Sequence, residues 1–315
     1  MSELGLGTAA IGRPIYMNIR ESKFDQSNFD LQRFAIKNKH FLQFAYDAGI
    51  RHFDTAPNYG LAEKSLIEWI KKNEICDLKT SSKWGYTYVA NFDPNAQKHE
   101  EKEHSLAKLN EQWEQTKKLI PSLSTYQIHS ATLASGVLEN GTILSRLVEI
   151  KKKENIKIGL TVTGDNQNEI IDKALSIKFD NEDLFDSIQA TFNVFDQSLL
   201  KRKKVLKSKQ IIIKEALANG RVFPNNNYPN YKKHYSYLQG LALKYKVGID
   251  AIALRFCMQS IFESIVLCGA STTQQLTENL RAYTFTLSDS EMEELYDLAI
   301  EPTLYWAERK KLGWN

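Results

Sequence analysis

Short apolar or alternating runs recur along the 315-residue chain, each bounded by turn residues and followed by a stretch of helical spacing. Eight such runs read as strands: Leu4–Gly7, Ile50–Asp54, Lys79–Lys83, Thr125–His129, Lys157–Thr161, Ser187–Ala190, Gln210–Lys214 and Ser264–Cys268. Amphipathic segments lie between them at Lys39–Ala48, Ala62–Lys72, Lys102–Leu119, Ile143–Glu154, Asn166–Ile177 and Ser198–Lys207. Further helices are predicted at Tyr231–Tyr245, Thr273–Ala282 and Asp289–Leu298. Parallel strands need helical crossovers, so repeated β-then-α units predict an α/β fold: a (β/α)8 barrel of the TIM type. An open doubly wound sheet is the alternative, but no G-x-G-x-x-G follows the first strand.

The pattern predicts a single domain over residues 1–315, with a tail from about 299 to 315 packing over the barrel. Two connections are long, Gly12 to Lys37 and Pro224 to Asp250. The first opens with Pro14, Tyr16 and Met17 and is expected to line a substrate pocket. The second resolves largely into the Tyr231–Tyr245 helix.

Composition narrows the function classes. A hydrophobic content of 42% supports a sizeable core and excludes disorder. Lys+Arg total 41 against Asp+Glu 38, and a net charge of +3 gives no reason to expect a nucleic-acid partner. Lys201-Arg202-Lys203-Lys204 and Lys151-Lys152-Lys153 read as solvated helix faces. No apolar run reaches membrane-span length, and the N-terminus lacks the pattern of a signal peptide. Cys76, Cys257 and Cys268 have no metal-type spacing, and their odd number argues against a disulfide framework. A reduced, cytoplasmic setting without membrane or metal is expected; monomer and dimer stay open.

Four polar residues stand at one mouth of the expected barrel. Asp54 closes the second strand, Lys83 the third and His129 the fourth, while Tyr59 follows Asp54 across a short loop. Taken singly, each has a plain reading: a loop acceptor, a packing phenol, a solvated charge, a structural histidine. Together they suit carbonyl chemistry. A phenol of ordinary pKa about 10 is a reluctant acid, and a nearby ammonium would lower that pKa. Lys83 is expected to do so, held by Asp54, while His129 hydrogen-bonds the substrate oxygen and shares the proton work.

The ordered set, with its flanks His52-Phe53-Asp54-Thr55-Ala56-Pro57-Asn58-Tyr59-Gly60, Ser82-Lys83-Trp84-Gly85 and Ile128-His129-Ser130, resembles the aldo-keto reductase family. The resemblance runs from Gly7 to about Leu298 and implies hydride transfer between a carbonyl and NAD(P). It implies catalytic roles for Asp54, Tyr59, Lys83 and His129, with Asp54 also beside the cofactor. Gly269, Ala270, Ser271, Gln275 and Asn279 look like the family's cofactor segment, in which the Asn faces the adenine. Leu217 and Gly220 resemble its pyrophosphate-spanning loop, Gln189 matches the residue that contacts the carboxamide, and Thr161, Lys214 and Glu215 are also expected beside the cofactor.

Three departures stand out. Ser271 and Gln275 occupy positions where NADP-dependent relatives often carry cations, which leaves NAD and NADP open, with NADP ahead on family habit alone. Lys214 stands where many members have a stacking Tyr, and Thr161-Val162 replaces a Ser-Asn pair. Arg13-Pro14-Ile15-Tyr16-Met17-Asn18, the segment after the seventh strand and Tyr305-Trp306-Ala307-Glu308-Arg309 are similar to a bacterial subgroup that includes sugar dehydrogenases.

The expected substrate is therefore a small aldehyde, ketone or aldose. Tyr16, Trp84 and Trp306, with Trp314, are expected as aromatic walls of its pocket, packing against the barrel being the alternative. A cofactor-binding regulatory or scaffold subunit with little turnover is the second reading of the chain. A metal-dependent hydrolase is a third, but His129 has no second strand-end His to join it.

Overall fold

The computed structural model describes residues 2–15, 19, 29–93 and 95–314. Its centre is a closed parallel barrel of eight strands: β1 (Glu3–Gly7), β2 (His52–Asp54), β3 (Lys79–Trp84), β4 (Leu123–Ala131), β5 (Lys157–Val162), β6 (Ser187–Thr191), β7 (Gln210–Lys214) and β8 (Ser264–Cys268). Neighbours in sequence are neighbours in the barrel, and β1 closes it by pairing Glu3–Leu6 with Ile265–Cys268. All eight expected strands are present, so the single-domain (β/α)8 architecture holds.

Most of the buried apolar side chains form one continuous layer between barrel and helices, while Ile212, Ile265 and Leu267 form a small separate cluster. Helix starts follow local chemistry. Asp30, Ser105, Asn140 and Thr272 each accept a backbone N–H at a helix N-terminus, and Ser288 with Glu291 forms a capping box. The first long helix starts at Leu31 rather than at Lys39: Asp30 caps it by accepting from the Arg33 N–H, and its first turns are largely exposed. The expected Ser198–Lys207 helix shrinks to a 3-10 turn over Ser198–Arg202.

Helix Ile249–Ser260 is absent from the sequence reading. Ala251, Ile252, Ala253, Leu254, Phe256, Cys257 and Met258 are all buried, and the partly exposed Arg255 and Gln259 make too narrow a polar face to set an amphipathic period. Two further features decorate the mouth: a hairpin of Tyr86–Tyr88 with Glu100–Lys102, and the tail helix Pro302–Arg309. Among the described residues no helix is long and apolar enough to cross a membrane, and no cluster of metal-ligating side chains is present.

Candidate active site

Asp54 ends β2 and Lys83 lies near the end of β3. Lys83 Nζ sits 2.5 Å from Asp54 Oδ2 and 2.9 Å from the Thr55 carbonyl oxygen, with both charged side chains essentially buried. Asp54 Oδ1 accepts from Ser81 Oγ at 2.6 Å and from Gln189 Nε2 at 2.8 Å. β2 and β6 are not neighbours, so the Gln189 bond crosses the barrel lumen. Both carboxylate oxygens are thus satisfied and the charge is matched, the condition under which a buried pair is tolerated. Behind them His52 Nε2 lies 3.1 Å from Ser81 Oγ, and burial pushes that imidazole down to about 4, leaving it neutral.

Tyr59 is fixed by a close crossing of two loops. A Cβ on Gly60, whose φ is +58°, would meet the Gly12 carbonyl oxygen at 2.3 Å, and one on Gly12 would meet the Tyr59 carbonyl oxygen at 1.9 Å. Only glycines allow this approach. The Tyr59 ring then lies with its centroid 4.8 Å from Lys83 Nζ, 5.4 Å from the Arg13 guanidinium and 5.7 Å from the His129 ring. Burial, followed by the Asp54 carboxylate, pushes the Tyr59 phenol well above 10, with Arg13 opposing. The net shift is upward, against the lowering expected from Lys83, because burial and the Asp54 charge prevail.

His129 stands at an irregularity. The β4–β5 register shifts between Ile128 and Ala131, Ser130 takes φ +49°, and its N–H donates to Thr161 Oγ1 at 2.7 Å. Such breaks re-aim side chains at barrel rims. The His129 carbonyl oxygen lies 2.9 Å from His104 Nε2, which gives that histidine a positioning contact. Burial pushes the His129 imidazole well below its usual value, and Lys83, Lys214 and Arg13 reinforce the shift. The mouth therefore holds a protonated phenol beside a neutral imidazole.

Asp54, Tyr59 and His129 line a cavity of about 450 Å³, with Lys83 beneath its floor. Thr161, Gln189, Lys214, Glu215, Leu217, Gly269, Ala270, Gln275 and Asn279 line the same cavity, so the catalytic and cofactor candidates converge. Ser271 does not line it; its N–H donates to Gln275 Oε1 at 2.9 Å and holds that side chain. Lys214 Nζ donates to Thr191 Oγ1 at 3.0 Å and Thr163 Oγ1 at 3.2 Å, and burial pushes its pKa down. After it, Glu215, Ala218, Asn219 and Gly220 all take positive φ, the kind of strain that accumulates at ligand sites. Burial alone would raise the Glu215 carboxyl, but Arg309 and Lys214 overcome it and bring it to about 2. Arg309, from the tail helix, reaches Glu215 Oε1 through Nη2 at 2.9 Å and Nε at 3.1 Å.

The aromatic walls differ from expectation. Tyr16 lies outside the described residues. Trp84 and Trp306 are buried and do not line the cavity: Trp84 packs edge-on against His104, and Trp306 donates its indole N–H to Asp196 Oδ2 at 3.0 Å. Trp314 does line it, stacked on His99 at 4.5 Å. Sequence reasoning missed Arg13, Tyr86, Glu100, Asp250 and Arg309 as lining residues. Arg13 Nη1 meets Glu100 Oε1 at 2.5 Å, and Asn58 Nδ2 donates to the same oxygen at 2.6 Å. Glu100 and Tyr86 come from three-residue strands, too short to show a period.

An aldo-keto reductase of Bacillus halodurans, in its holo form, is 18% identical; the match covers 95% of this chain and 92% of that one, with a TM-score of 0.67. A glycerol dehydrogenase of Gluconobacter oxydans is 20% identical over 94% of this chain and 90% of that one, with a TM-score of 0.69. At these identities the likeness shows the fold. No curated protein matches the chain at a significant level. The model of the Aldo/keto reductase family matches residues 3–300, nearly the whole chain. The chain belongs to the aldo/keto reductase family and is an NAD(P)-dependent oxidoreductase of carbonyls and alcohols.

Proposed function

We propose that the protein reduces the carbonyl of a small polar aldehyde, ketone or aldose, with Tyr59 as the proton donor. The observation that carries this reading is the convergence of Tyr59, His129 and the Lys83–Asp54 pair at one cavity. The nicotinamide dinucleotide, when bound, supplies the hydride to the carbonyl carbon. Tyr59 gives its phenolic proton to the carbonyl oxygen as negative charge develops there. His129, neutral, holds that oxygen by an N–H donor and fixes the substrate's orientation. Asp54 holds Lys83 by an ion pair beneath the phenol, so the ammonium faces the phenolate as it forms.

The residues present suit a dinucleotide. Asn279 is buried along the cavity wall with its side-chain carbonyl oxygen lacking a partner, an acceptor ready for an amino group such as that of adenine. In this reading Gln189 meets the carboxamide with Thr161 beside it, and the Leu217 loop and the Gly269–Ala270 segment carry the pyrophosphate. The polar Arg13–Glu100–Asn58 cluster, with Tyr86 and Trp314 on the same cavity, favours a hydroxylated substrate over a purely apolar one.

Replacing Tyr59 with Phe keeps the ring and removes the proton. The variant is expected to lose at least about a hundredfold in kcat on glyceraldehyde, the usual scale of a general acid, while binding nucleotide within about twofold of the parent. Near-parental turnover would remove Tyr59 from this role.

A further inference from the structure

Asp250 sits in the first turn of helix Ile249–Ser260, an element with no place in the sequence reading, and it lines the cavity together with Cys268, Gly269, Ala270, Gln275 and Asn279. Its carboxylate is held in place. Asn279 Nδ2 donates to Asp250 Oδ2 at 2.6 Å. On the other side Oδ1 folds over Gly248, where a Cβ would lie only 2.2 Å away. Any side chain at position 248 would displace it, so glycine there and asparagine at 279 together fix the acid.

The charge around this end of the cavity is one-sided. The cations among the described lining residues are Arg13, Lys214 and Arg309, and each belongs to the catalytic or tail side. Arg13 is engaged by Glu100, Arg309 by Glu215, and Lys214 by the two threonine hydroxyls. Near Asp250 the further charge is Glu278, paired with Arg281 at 3.1 Å. Ser271 and Gln275 are neutral, and the Ser271 N–H and Oγ–H both donate to Gln275 Oε1.

We propose that Asp250 is a specificity-determining residue that selects NAD(H) against NADP(H). The assignment rests on the reading above, in which the adenosine half of the dinucleotide lies against Gly269, Gln275 and Asn279. A fixed carboxylate accepts a hydrogen bond from a ribose 2′-hydroxyl, a bond strengthened by the acceptor's charge. The same carboxylate meets the 2′-phosphate of NADP(H) with like charge and no acceptor-to-acceptor bond to offer. Acidic residues discriminate in this sense wherever a ribose hydroxyl is read by a carboxylate. The discrimination is by repulsion as much as by attraction.

The test is equilibrium binding, read by nucleotide fluorescence on the full chain, with NADH and NADPH titrated separately. The parent protein is expected to bind NADH at least about tenfold more tightly than NADPH. Asp250→Asn keeps the shape and an acceptor oxygen while removing the charge; it is expected to weaken NADH about threefold and to tighten NADPH about threefold, so that the roughly tenfold preference closes. Asp250→Ala serves as the second variant, and thermal melts of both verify folding. Equal or tighter binding of NADPH by the parent overturns the proposal and leaves the oxidoreductase reading standing. An unchanged NADH-to-NADPH ratio in both folded variants also overturns it, since some other residue then sets the preference. Failure of the parent to bind either nucleotide defeats the proposed function itself.

Discussion

Tyr59 works as an acid because its surroundings keep it protonated. Burial and the Asp54 carboxylate both disfavour phenolate, so the folded-state pKa lies above the ordinary 10. A reduction that consumes this proton should hold its kcat from neutral pH up to about pH 10, as far as the fold persists. A pH–rate profile falling with an apparent pKa near 7 would contradict the assignment. A second residue outside the cavity sets its own pH dependence. Glu63 is buried behind β3, accepting from Ser82 Oγ at 2.6 Å and Thr116 Oγ1 at 2.9 Å, while its other oxygen has no partner. Burial pushes it up to about 7, against the two hydroxyls that lower it. The folded state then holds a proton that the unfolded chain releases above about 4.5. This contribution is full below pH 4.5 and is lost as pH rises to 7, roughly 3 kcal/mol over that span. Urea unfolding at pH 5 and pH 8 should show the parent losing stability and Glu63→Gln losing less; equal losses would contradict it.

At the scale of elements, the tail helix and the loop after β7 act together. Arg309 neutralises Glu215 at the cavity wall, Trp306 is anchored on Asp196, and Tyr305 accepts from Asn193 Nδ2 at 2.9 Å. The tail therefore braces the strained segment that faces the expected cofactor. Arg309→Gln leaves the buried Glu215 without its principal charge partner and is expected to weaken nucleotide binding about tenfold, or ~1.4 kcal/mol. Unchanged affinity in that variant would reduce the tail to ordinary packing. Most strands were legible in the chain because they are short apolar or alternating runs ended by turn residues, whereas Lys79–Trp84 was read from its place between two helical stretches. Helix Ile249–Ser260 was not, because a segment buried over most of its surface carries little contrast between faces.

For the whole molecule, the barrel brings residues more than 200 positions apart to one cavity, from Arg13 near the first strand to Trp314 in the tail. The catalytic four were legible because strand ends and short loops tie their location to the sequence. Arg13, Glu100 and Asp250 were not, since their positions depend on loop crossings and on contacts set by tertiary packing. Trp84 and Trp306 show the converse: large aromatics near the mouth in sequence that the packing takes into the interior. Charge balance is also a property of the assembled fold. Lys83 without Asp54, or Asp54 without Lys83, would be a lone buried charge, and Lys83→Met should cost about 3–5 kcal/mol in unfolding free energy as well as turnover.

The central claim is direct hydride transfer to a carbonyl in this cavity. Its most direct test uses NADH carrying deuterium at both C4 positions of the nicotinamide ring, with glyceraldehyde as substrate, and mass spectrometry of the alcohol formed. One deuterium is expected on the new carbinol carbon of every product molecule, in ordinary water. Product without deuterium, or formation of no alcohol from glyceraldehyde or any other small carbonyl while nucleotide binds, would contradict it.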